Sequence, residues 1–258
     1  PLSLEHLPKA LAALQKIDLP DEERLEILMT LDAHGNESLY FTFDELSGAI
    51  EALNQYHWEP RHSQFLLLLI AKKTHPTAHE SYKNLKFGLA ALQQTSWSEK
   101  RKRAFIIFTT NKAHGFSSIC YYRLQEFINL LNVTSLNEEQ KYDLLRTCIF
   151  HGGHYFNEVI KFITVCLDQV NQDNANHFTS NIRRLFKALN DHNFGDILNL
   201  WHKNAFAFCM KMASAKNEKI LFDHLSLFSF ILEKWPCAGF NILEGLFDAL
   251  DNSDLKPP

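Results

Sequence analysis

The chain is predicted to be all-α: a right-handed α-solenoid of about six helical hairpins on a 39-residue repeat, preceded by an N-terminal half-repeat. Three observations predict it. Leu14, Leu53, Leu92, Leu131 and Val170 stand 39 residues apart. Each of the last four closes an apolar series at relative positions 0, 3, 7 and 10, a spacing that marks one face of an α-helix. The loops repeat as well: His34-Gly35, His75-Pro76, His114-Gly115, His151-Gly152 and His192-Asn193 each join a His to a residue suited to ending a helix.

The half-unit 1–14 carries Leu4-Leu7-Leu11-Leu14 and is the second helix of an incomplete hairpin. Unit 15–53 opens on Ile17-Asp18-Leu19-Pro20-Asp21-Glu22-Glu23, a cap followed by an acidic first turn, and closes on Phe43-Leu46-Ile50-Leu53. Unit 54–92 closes on Tyr82-Leu85-Leu89-Leu92. Unit 93–131 opens on Thr95-Ser96-Trp97-Ser98-Glu99 and closes on Tyr121-Leu124-Ile128-Leu131. Unit 132–170 opens on Thr134-Ser135-Leu136-Asn137-Glu138-Glu139 and closes on Ile160-Ile163-Leu167-Val170. Unit 171–209 keeps the series with a one-residue slip, Leu198-Trp201-Ala205-Phe208. Unit 210–250 ends it at Phe240-Leu243-Phe247-Leu250, and a tail, 251–258, follows. A single hairpin cannot bury its apolar stripe, so the stack is read as one elongated domain with a continuous core.

Composition agrees with an almost entirely helical chain, because 9 Gly and 8 Pro leave little room for long linkers. The 21 Phe fall mostly in predicted helices and read as core filling. A net charge of −4 and a pI near 6.4 give no general pull toward nucleic acid or anionic membranes. The longest apolar run, Phe65 to Ala71, is far short of a membrane span, and five irregularly spaced Cys read as reduced thiols of a cytoplasmic protein. No signal peptide is legible. The chain opens at Pro1 rather than Met, which leaves open a preceding segment that would carry any targeting signal.

Several stretches invite chemistry. The loop histidines His34, His75, His114, His151 and His192 would line one edge as a pH-responsive or anion-binding rim; the plainer reading is that they cap helix C-termini. Cys148, His151 and His154 have a metal-like spacing but no evident fourth ligand, so no metal is expected. The run from His34 to Leu46 fails as a calcium loop in either register, since Leu39 or Phe43 falls where a glycine or an acid is needed. Lys100, Arg101, Lys102 and Arg103 form the strongest basic run, a solvated face or a local patch for an acidic partner. Its unit-one counterpart is acidic, so no basic stripe follows the repeat as nucleic-acid binding would require. There is no Gly-rich phosphate loop and no nucleophile elbow, and no cofactor is implied.

The pattern is similar to helical-repeat families of the HEAT, tetratricopeptide and pentatricopeptide kind. It is nearest in length to HEAT-like repeats and lacks the Trp-Leu-Gly-Tyr signature of tetratricopeptide units. The Asn- and Phe-rich composition, with unequal repeats ending in Leu53-Asn54 and Leu131-Asn132, resembles helical-repeat effector proteins that Legionella-type intracellular bacteria deliver into host cells. That resemblance implies a host protein partner in the host cytosol, and no catalytic residues carry over from it. The residues point to a non-catalytic protein-interaction module whose binding groove is lined by second helices through Lys83, Lys86, Tyr122, Gln125, Asn129 and Lys161, with Tyr122 as aromatic anchor. The alternatives are an enzyme, or the targeting arm of one, with a site near Cys148, His151 and His154, and then nucleic-acid binding through the basic run.

Overall fold

The computed structural model describes residues 3–34, 39–74, 77–113, 115–152 and 156–190, and positions 225–227, 229–231, 233, 234, 242 and 245. Among these residues every regular element is a helix. In order they are α1 (Ser3–Leu14), α2 (Asp21–His34), α3 (Leu39–Gln55), α4 (Pro60–Lys73), α5 (Ala78–Leu92), α6 (Glu99–Lys112), α7 (Ser117–Asn132), α8 (Glu138–Gly152), α9 (Phe156–Leu167) and α10 (Ala175–Asn190). No helix among the described residues is long and apolar enough to cross a membrane.

The chain divides into two compact units, Pro1–Asn129 and Leu130–Pro258, with the division inside α7. In the first, second helices pack on second helices (α1 on α3, α3 on α5) and first helices on first (α2 on α4, α4 on α6), the layering of a helical solenoid. In the second, α8 packs on α9 and on α10. Arg183 bonds Asp143 at 2.9 Å, and Arg184 grips Glu233 with two bonds of 3.2 and 2.9 Å.

The 0, 3, 7, 10 series is the core. Phe43, Leu46, Ile50 and Leu53 are buried, as are Tyr82, Leu85, Leu89 and Leu92, and Tyr121, Leu124, Ile128 and Leu131. The series weakens at its ends: Leu11 is 43% exposed where its counterpart Ile50 is fully buried, and Val170 is half-buried. In α5 and α7 the opening position is a tyrosine that reaches back to the first helix of its own hairpin. The Tyr82 hydroxyl donates to the Leu67 carbonyl at 2.7 Å, and the Tyr121 hydroxyl pairs with Thr110. Both hydroxyls are thereby satisfied in a core that would otherwise penalise them, and burial pushes both phenols above their ordinary pKa.

Helix ends follow local rules. Ser98 accepts from the Arg101 amide, while Asn137 and Gln140 cap each other reciprocally at 2.8 and 2.9 Å. Between hairpins, Leu19, Trp58, Trp97 and Leu136 occupy one repeat position and are buried in every case. This apolar peg fixes each inter-hairpin loop. His57 beside it sits at φ 53, as the left-handed residue that closes α3, with the Trp58 amide bonded back to the Leu53 carbonyl at 3.0 Å. Gly115 (φ 88) plays that part in the α6–α7 loop. Gly88 serves packing instead: a Cβ there would stand 2.9 Å from Tyr121 Cδ1, so only glycine lets α5 and α7 approach so closely.

Candidate functional site

The outward face of the second helices repeats in position but not in chemistry. On α1 and α3 it is made of charges that neutralise one another. Lys9 donates to Asp44 at 2.8 Å, His6 lies 3.2 Å from the same oxygen, and Lys16 reaches Glu51 at 2.6 Å. The hydrogen bond from Lys9 holds the Asp44 carboxyl below its ordinary pKa, with His6 acting in the same direction; Lys16 does the same to Glu51. One layer on, Asp44's repeat position is taken by Lys83, and the next layer has Tyr122 there.

On α5 and α7 the face becomes aromatic and polar. Tyr122 is 60% exposed and meets the 39%-exposed ring of Phe87 edge-on, with centroids 5.7 Å apart at 90°. Lys86 lies over the other ring of the pair, 5.1 Å from the Phe87 centroid. Beside them Gln94 and Gln125 exchange hydrogen bonds of 2.8 and 2.6 Å, and Gln125 also donates to Asn129 at 2.8 Å. Lys83 is exposed. The structure thus gathers five of the six expected groove residues, Lys83, Lys86, Tyr122, Gln125 and Asn129, on adjoining helices of the first unit. Lys161 is exposed on α9 of the second unit.

Two residues of this face escaped the reading of the sequence. Phe87 is not core filling but meets the Tyr122 ring, and Phe41 is 49% exposed and tilted against His79 at 5.8 Å, one turn before Asp44. Gly48 occupies Phe87's repeat position one layer earlier. It is exposed, and a Cβ built on it meets nothing within 4 Å. The signal that could have found Phe87 was positional: its counterparts Gly48, Glu126 and Val165 are not a core set.

The basic run Lys100–Arg103 is dispersed by the helix. Arg101 stacks over Trp97 at 5.6 Å, Lys102 is 9% exposed and bonded to Glu99 (2.8 Å) and Gln93 (3.1 Å), and Arg103 pairs with Glu59 at 3.0 Å. Arg103 and Glu59 edge a cleft of about 440 Å³ also lined by Gln55, Tyr56, His57, Gln93 and Glu99. Three of the four cations therefore have structural partners, and α6 presents mixed charge rather than a phosphate-tracking ridge.

Of the loop histidines, His75, His114 and His192 lie outside the described residues, as does the side chain of His34; His151 is half-buried with its ring edge-on to Phe150 at 4.6 Å. At the end of α4 the amide and hydroxyl of Thr74 both bond the Ile70 carbonyl, at 3.0 and 2.7 Å. Cys148 is fully buried, and burial beside Cys166 pushes its thiol well above the ordinary range, so it is a packing group rather than a nucleophile. His154 lies outside the described residues, and among those described no three His, Cys, Asp or Glu side chains gather as a metal would need. No protein-family model, no curated protein and no solved structure matches this chain.

Proposed function

We propose that the chain is a non-catalytic protein-interaction module that docks its partner on the α5–α7 face, with Tyr122 and Phe87 as anchors. The observation that carries this reading is the exposed aromatic pair on a rigid helical platform, next to a layer whose outward charges neutralise one another. Large aromatics left in water at the surface are the residues that most often supply binding energy when a partner covers them. Both are carried on helices whose opposite faces are locked in the core, so little ordering cost attends binding. The resemblance to bacterial effectors makes a host protein the partner to seek first.

The test is capture from host-cell lysate by the intact protein and by Tyr122→Ala, with circular dichroism to show that the variant is folded. One dominant protein held by the parent and lost by the variant is the expected result. A partner retained in full by the folded variant sinks the assignment to this face.

A further inference from the structure

We propose that the α3–α5–α7 face takes an acidic peptide segment of its partner carrying an apolar anchor, with carboxylates on Lys83 and Lys86 and the anchor seated beside Phe87 over Gly48. This rests on the docking reading above and names the chemistry of what docks. Three observations point the same way.

The first is charge. On α1 and α3 every cation of the outward face named above has a carboxylate within ion-pair distance: His6 and Lys9 have Asp44, and Lys16 has Glu51. On α5, Lys83 and Lys86 stand exposed with no carboxylate that close among the described residues. The acids nearby in sequence are occupied elsewhere, since Glu80 accepts from the Ser118 hydroxyl at 3.4 Å and Glu126 is held by Arg123 at 2.7 Å. Two lysines without a contact anion, in a chain of net charge −4, make a local positive spot that favours carboxylates over the rest of the surface.

The second is apolar surface between those charges. Phe87 and Tyr122 expose ring area that a hydrophobic side chain would cover, and Lys86 already lies against the Phe87 ring. The third is open ground. Gly48 lies inside α3, where glycine costs about 0.5–1 kcal/mol relative to alanine. Neither a close approach nor a positive φ calls for it there, unlike Gly88 and Gly115. What it does leave is a bare stretch of helix at Phe87's own repeat position in the adjoining layer, which is where a side chain from outside can lie against that ring.

A polyanion is the poorer fit. One layer away the cations Lys9 and Lys16 are already paired with Asp44 and Glu51, so a continuous phosphate backbone or an anionic bilayer would find no further cations to follow there beyond Lys83 and Lys86. A peptide can place two or three carboxylates over the lysines and uncharged residues over the layer whose charges are already paired.

The experiment is selection of a displayed random-peptide library on the full chain, with binding of synthesised hits measured against the parent, Tyr122→Ala, Lys83→Glu, Lys86→Glu and Gly48→Leu. Gly48→Leu adds bulk where nothing stands within 4 Å, so it tests the seat without crowding the core. Expected are Tyr122-dependent peptides bearing carboxylates around one apolar residue, weakened about tenfold or more by either lysine reversal and by Gly48→Leu. Tyr122-dependent peptides without carboxylates, or indifferent to the reversals, overturn the acidic partner and leave the docking face standing. Hits insensitive to Gly48→Leu overturn the anchor seat. The absence of any Tyr122-dependent peptide overturns both this inference and the reading beneath it. Tyr122-dependent displacement of the hits by polyuridylate or phosphatidylserine vesicles would show the partner to be a polyanion instead.

Discussion

The α1–α3 face and the α5–α7 face occupy the same positions of one repeat and do opposite things. On the first, Lys9, His6 and Lys16 are tied to Asp44 and Glu51, and the surface is neutral at short range. On the second, the position of Asp44 holds Lys83 and Tyr122, that of Glu51 holds Asn129 on α7 and that of Lys9 holds Phe87 on α5, with an exposed aromatic edge and lysines that have no contact anion among the described residues. The buried faces beneath barely differ: Phe43, Leu46, Ile50 and Leu53 are as sequestered as Tyr121, Leu124, Ile128 and Leu131. Repetition thus constrains the inward positions, where each layer must fit the next. It leaves the outward ones free to diverge, and the divergence locates the candidate site.

The sharpest test of that separation uses two adjacent residues. Tyr121 is fully buried and bonded to Thr110, so Tyr121→Ala should cost about 3–5 kcal/mol in chemical denaturation, as for other large core truncations. Tyr122→Ala should stay within about 0.5 kcal/mol of the parent while losing partner binding. Comparable losses of stability in the two variants would mean that core and face are not separable here.

Two glycines test the same contrast through the backbone. Gly88→Ala puts a Cβ 2.9 Å from Tyr121 Cδ1, and the displacement it forces should destabilise by about 1–3 kcal/mol. Gly48→Ala meets open space in a helix interior and should stabilise by about 0.5–1 kcal/mol. A thermal melt that moves the same way for both would contradict the difference in packing between α3 and the α5–α7 contact.

The smallest effect belongs to the ion pairs of α1 and α3. The Asp44 carboxyl is held below its ordinary pKa chiefly by the hydrogen bond from Lys9, so its folded value lies below its unfolded one. Its contribution is complete above the unfolded value near pH 4 and drains away as pH falls through the lower folded value. Because the pair is more than a third exposed, Asp44→Asn should cost no more than about 0.5 kcal/mol at neutral pH. Urea titrations of parent and variant at neutral pH and near pH 3 check this. The difference should shrink in acid; a gap that widened there would mean that Asp44 is not stabilised as a carboxylate.

Much of this molecule was legible in its sequence because helical packing imposes periods. The 39-residue spacing and the cap residues placed α1 to α10 closely, and the expected groove residues on α5 and α7 do adjoin. Exposure of individual aromatics was legible only in part. The unlike repeat counterparts of Phe87 set it apart from a core phenylalanine such as Phe105, but how much of its ring stays open, 39%, depends on the neighbouring layer. The basic run shows the same limit, since Arg103 finds its partner Glu59 forty-four residues away.

By itself, then, the sequence determined the fold class, the order and ends of most helices and the buried series, because each follows from local propensity and a fixed period. The tertiary structure alone decided that Tyr122 meets Phe87 edge-on, that Gly88 seats Tyr121, that Lys9 and Lys16 are neutralised and that Lys83 and Lys86 find no carboxylate in ion-pair distance among the described residues. Those outcomes depend on which side chains two separate layers bring within a few ångströms of each other. Spacing along one chain specifies the face a residue occupies, while what covers that face is set by the layer packed beside it.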